Sequence, residues 1–215
     1  MLTVTQTDDL IESLAAQLQP VQRMRAPMVR AFAWLAAVIF FGLIVIVGFA
    51  NTSLFMQRMA VPRIALEGIG SMLTGITAVM TAFQLSVPGR SARWAWLPLP
   101  PLLLWLGASG MGCLQNGIGF HATRSPEGAN CFLFIAGVSV PLSIALFWML
   151  RRASPIAPLP VAAFGTLGVA ATAATLLQFF HPFDITLLDL GFHLAAVGFV
   201  VFIGTVLRRP ILAAQ

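Results

Sequence analysis

Apolar residues in this chain fall in long, nearly unbroken runs rather than in alternating or one-sided patterns. Six runs stand out, at residues 31–50, 64–87, 94–113, 131–150, 159–180 and 190–207. A helix needs roughly 20 apolar residues to cross a bilayer, and each run has about that length. The second is interrupted only by Glu67 and Gln84, and the third carries Pro98, Pro100 and Pro101 near its start. The pattern predicts an all-α integral membrane protein, a six-helix transmembrane bundle with short loops. Its parts are a tail over 1–29, a six-span membrane domain over 30–207 and a C-terminal tail over 208–215. Small residues inside the runs, such as Gly75, Gly168, Ala171 and Ala174, let helices approach closely.

The tail has a different pattern. Leu10, Ile11, Leu14 and Leu18 recur at helical spacing and share one face. Asp9 followed by Glu12 fits an N-cap with a capping-box acid, Asp8 adds negative charge at the helix start, and Pro20 ends the helix. A helix of about ten residues is marginal alone in water, so its apolar face needs a cover. One cover is the bilayer surface, but surface helices favour basic polar faces. This one carries Asp8, Asp9, Glu12, Ser13 and Gln17. The other cover is a groove on a cytoplasmic protein. A signal peptide is excluded, because the acids come first and Arg23, Arg25 and Arg30 follow.

Composition agrees with the pattern. The 215 residues are 59% hydrophobic and 9% charged, against about 25% charged in a soluble domain. A soluble globular enzyme is excluded. All basic residues are Arg, and their placement predicts orientation. Arg23, Arg25, Arg30, Arg90, Arg93, Arg151, Arg152, Arg208 and Arg209 fall on one side of the six runs; Arg58, Arg63 and Arg124 fall on the other. The positive-inside rule then puts both termini in the cytoplasm. This use of Arg accounts for the net charge of +5, and no direct nucleic-acid binding is expected. P-loop, GxSxG and paired-His protease motifs are absent, so the chain is not expected to be an enzyme.

Both cysteines and all three histidines map toward the opposite, external side. Cys113 ends the third run, Cys131 begins the fourth, and His121 lies between them. His181 follows the fifth run, and His193 lies about one turn into the sixth. Glu67 stands at a similar level, with Asp184 and Asp189 in the last external loop. Ionisable groups near a membrane face are expensive unless paired or functional. Three readings follow: separate interfacial side chains, redox or metal sensing by soft ligands, or a structural disulfide. Glu67 and His193 also admit a small proton-coupled transporter, and a structural subunit of a larger membrane complex is a third function class.

Three stretches carry a resemblance. They are Asp8-Asp9-Leu10-Ile11-Glu12-Ser13-Leu14-Ala15 with Pro20-Val21, Cys131 through Pro141 to Arg151-Arg152-Ala153-Ser154-Pro155, and His181-Pro182-Phe183-Asp184 with His193 beyond. With the six-run layout, the chain resembles the NrsF family of bacterial membrane-bound anti-sigma factors. The resemblance implies an inner-membrane protein whose tail binds an ECF-type sigma factor and releases it on external metal or oxidative stress. Leu10, Ile11, Leu14 and Leu18, with Asp9 at the helix start, would engage an apolar groove. Pro20 and Val21 would continue the contact, and Arg23 and Arg25 would meet acidic sigma surface. Family members often carry two cysteines, and here Cys131 fits the first position while His181 occupies the second. Disulfide sensing through that pair is therefore ruled out. What the resemblance leaves is a metal site at Cys131 and His181 with His193, or a Cys113–Cys131 bond. No cofactor is expected beyond a regulatory metal ion.

Overall fold

The computed structural model describes residues 4–16, 24–50, 52–116, 127–153, 155–180, 187–208 and 212. Helix α1 spans Val4–Ala16. Helices α2 (Pro27–Phe49), α3 (Thr52–Met59) and α4 (Pro62–Leu85) follow. A short 3-10 helix, Ala92–Trp96, leads into α5 (Leu99–Asn116). Helices α6 (Glu127–Arg151), α7 (Pro158–Leu177) and α8 (Leu187–Val206) complete the chain.

A long helix covers each of the six apolar runs. Four of them, Pro27–Phe49, Pro62–Leu85, Asn130–Arg151 and Pro158–Leu177, are long and apolar enough to cross a membrane. The apolar part of α8, Leu190–Val206, is shorter. Prolines fix several starts. Pro27, Pro62 and Pro158 stand in the first turns of α2, α4 and α7, where a missing N–H costs nothing and φ is already helical. The helices therefore begin a few residues before the hydropathy runs. The third run is corrected the other way. Its helix starts at Leu99 rather than Trp94, because Pro98, Pro100 and Pro101 force a break, and residues 92–96 form the 3-10 turn instead. Ser91 caps that turn by accepting from the Arg93 N–H at 3.2 Å, and the Thr81 hydroxyl ties it to α4 through the Trp94 carbonyl at 3.0 Å. The tight turn after α4 needs a positive φ at Gly89 (79°), which glycine adopts without strain.

Helices α4 and α7 form the centre. Half of the α4 span and 61% of the α7 span are buried, against 17% for α2. Their backbones meet at Gly75 and Gly168: a Cβ on Gly168 would lie 2.9 Å from the Val79 backbone nitrogen and 3.1 Å from the Gly75 carbonyl. Ser71 and Thr175 share a hydrogen bond of 3.0 Å across the same seam. Other hydroxyls turn back on their own helices, Thr74 to the Gly70 carbonyl and Thr172 to the Gly168 carbonyl, each at 2.7 Å. In hydrocarbon a polar group has no water to fall back on, so such internal bonds are required.

Two apolar clusters fill the two ends of the bundle. One contains Trp34, Val79, Phe83, Leu146, Leu150 and Val161. The other contains Trp105, Cys131, Ile135, Ala174, Leu177 and Ala196. The Trp34 Nε1–H donates to the Leu142 carbonyl at 3.3 Å, just beyond Pro141, the proline inside α6. Outside, Phe32, Ile39, Phe40, Leu43, Ile44 and Val47 leave one side of α2 exposed. A belt of this kind is untenable in water and suits lipid.

Candidate functional site

The first candidate is the tail. Helix α1 begins at Val4, so Asp9 sits inside it and not at its N-cap, and no acid stands in its first turn. The predicted cap is corrected. No Gly or Pro precedes Pro20, so nothing stops the helix from extending toward the N-terminus. The predicted apolar face is present. Leu10, Ile11 and Leu14 are 50%, 59% and 56% exposed, and Asp9 and Arg25 are exposed too. The Ser13 hydroxyl donates to the Leu10 carbonyl at 2.9 Å. Leu18, Pro20, Val21 and Arg23 lie outside the described residues.

The tail joins the bundle at Arg30. This residue is 8% exposed, and its guanidinium lies 5.1 Å from the Phe83 ring centroid on α4. It donates to the Met149 carbonyl near the end of α6 and reaches the Met24 sulfur at 4.0 Å. One side chain thus touches the segment leaving the tail, α4 and α6. Charge counting had assigned Arg30 only to topology. The clue available was its place one turn inside a proline-started apolar helix, where a buried cation must find partners.

The second candidate is the polar group at the far end. Cys131 stands in the second turn of α6 and is buried against Trp105, Ile135 and Ala196. Cys113 lies near the end of α5. His193 stands on α8 and lines a cavity of about 50 Å³ together with Glu67, Ser109 and Trp105. Glu67 is 6% exposed. The Ser109 hydroxyl hydrogen-bonds its carboxylate, and Arg63 and Arg58 are close enough to act on it electrostatically. The rest of its lining is apolar, from Leu102, Leu106, Leu190, Leu194 and Val197, so the three polar side chains meet in a mostly hydrocarbon-like space. The structure therefore brings Glu67 and His193 to one cavity. Ser109 was not foreseen; a serine in a Gly-Ala-Ser-Gly stretch gives no sign of a partner on another helix. His181 lies outside the described residues. Among the described residues no three of His, Cys, Asp and Glu are grouped so as to hold a metal ion.

Comparison with known proteins finds a family. The family model described as NrsF, negative regulator of sigma F, matches residues 14–213. The match takes in the whole bundle and starts at Leu14, so Leu10 and Ile11 precede it. No curated protein matches, and no solved structure does. Apolar helices of spanning length, an exposed apolar face on the preceding helix and a family match over nearly the whole chain converge. The chain belongs to the NrsF family of membrane-associated negative regulators of sigma factors.

Proposed function

We propose that this protein holds an ECF-type sigma factor at the bacterial inner membrane through residues 1–29 and releases it on external metal or oxidative stress. All six long helices span the membrane in this reading, α5 and α8 included, with both termini in the cytoplasm. The observation that carries it is the exposed Leu10–Ile11–Leu14 face, on a helix whose polar side is acidic and unsuited to lipid. Leu18, Pro20 and Val21 extend the contact, and Arg23 and Arg25 meet acidic sigma surface. Binding inhibits because the tail occupies surface that RNA polymerase needs. Cys131, His181, His193 and Cys113 receive the stimulus, with Cys131, His181 and His193 as ligands when it is a metal ion. A stimulus acts only by favouring one of two bundle conformations, and the Arg30 contacts give that change a route to the tail.

Deleting residues 1–22 tests the reading. The sigma regulon should become constitutive while the protein still inserts. Unchanged expression with intact insertion counts against it.

A second reading is favoured by the cavity shared by Glu67 and His193. In it the chain is a small proton-coupled transporter. Proton flux in proteoliposomes, lost on Glu67→Gln and indifferent to the tail, would support it.

A further inference from the structure

A groove between α6 and α8 has no part in either reading. Its walls run along α6 from Ala136 to Arg151 and along α8 from Phe199 to Gly204, reaching Leu207 just past the helix, with Thr166 of α7 also lining it. Its volume is about 430 Å³. Helix α8 packs on both α6 and α7, and at Gly204 it comes so close to α7 that Thr166 occupies the space where a Cβ would stand. On α6, the small residues Ala136, Ser139 and Ser143 recur at helical spacing and open a slot between larger neighbours. Ser139 is 2% exposed, and its hydroxyl has no hydrogen-bond partner.

The groove has the dimensions of a lipid chain. The α6 wall from Ala136 to Arg151 is about 22 Å long at 1.5 Å per residue. One leaflet of the hydrocarbon core is about 15 Å deep, so the slot can follow an acyl chain through its whole leaflet. The mouth is cationic. Arg151 lines it and is exposed. Arg152 stacks 4.4 Å over the ring of Trp148, itself a wall residue. Arg208 follows Leu207, the wall residue just past the end of α8. Basic pockets between membrane helices suit anionic headgroups, and a guanidinium binds phosphate through charge-assisted hydrogen bonds.

The geometry points to a binding site for an anionic phospholipid, with one acyl chain in the α6–α8 groove and its phosphate on Arg151 at the mouth. The site stands independently of the sigma-factor reading. It lies on α6, whose end near Met149 also receives Arg30, so an occupant there would stiffen the helix end that meets the tail.

The test uses the full-length protein in a neutral detergent. It is mixed with equal amounts of dioleoyl phosphatidylglycerol and dioleoyl phosphatidylcholine and read by native mass spectrometry. The first retained lipid should be the anionic one, by about fivefold for each Arg engaged. Arg151→Gln alters an exposed side chain and should lower the preference about fivefold. Ser143→Phe, which fills the slot, should lower retention of both lipids. Glycerol phosphate, a headgroup without chains, should not displace the lipid. Equal retention of the two lipids by the unaltered protein overturns the proposal, as does an unchanged preference in Arg151→Gln. A lipid-free dimer would assign the groove to a second copy and overturn it as well.

Discussion

Replacing Gly168 by Ala probes the seam on which the bundle is built. The new Cβ would lie 2.6 Å from Val79 Cγ2, 2.9 Å from the Val79 nitrogen and 3.1 Å from the Gly75 carbonyl oxygen. A methyl group on Val79 can rotate aside, but two backbone atoms cannot, so α4 and α7 must part. Overpacking of this kind costs about 1–3 kcal/mol, while replacing a helical glycine returns at most about 1 kcal/mol. A net loss of about 1–2 kcal/mol is expected. Gly107 on α5 supplies the control, since a Cβ there meets nothing within 4 Å; Gly107→Ala should be neutral or stabilising by up to about 1 kcal/mol. Titrating SDS into the micelle-folded protein, followed by tryptophan fluorescence, measures both. Gly168→Ala as stable as the unaltered protein, or Gly107→Ala the more damaging, would refute the packing assigned to α4 and α7.

Three further outcomes follow. Trp34→Phe removes the 3.3 Å bond to the Leu142 carbonyl and leaves a cavity where the rest of a fully buried indole packed, and should cost about 2–4 kcal/mol in the same titration. Arg30→Lys keeps the charge but loses the planar guanidinium that spans Phe83 and Met149. Trypsin should then cut after Arg25 faster than in the unaltered protein, and an unchanged rate would deny Arg30 its link to the tail. Leu14→Asp changes a side chain that is 56% exposed, so the SDS midpoint should stay within about 0.5 kcal/mol.

Much of the architecture was legible because hydrocarbon imposes a simple rule: every long apolar run became a helix. The ends were less legible, because hydropathy registers Arg30 and Arg63 as breaks, whereas helix geometry begins at Pro27 and Pro62. Helix α3 went unread, since eight residues, half of them apolar, are too few to carry a periodic signal. In the tail, periodicity found the apolar face but misplaced the start. A plausible cap at Asp9 outweighed the absence of any breaker before it. Counting turns from the helix ends put Glu67 and His193 at one level, and they do share a cavity. The Ser109 partner and the Arg30 contacts depend on which helices are neighbours, and hydropathy says nothing about adjacency.

The most direct test of the central claim is capture on the full-length protein in native membranes, with bound soluble proteins identified by mass spectrometry. The unaltered protein and Leu14→Asp should be compared side by side. The account predicts an ECF-type sigma factor on the unaltered protein and at least a tenfold weaker signal on Leu14→Asp, as expected for loss of an anchor worth about 2 kcal/mol or more. No sigma factor on the unaltered protein, or equal amounts on both, would contradict it.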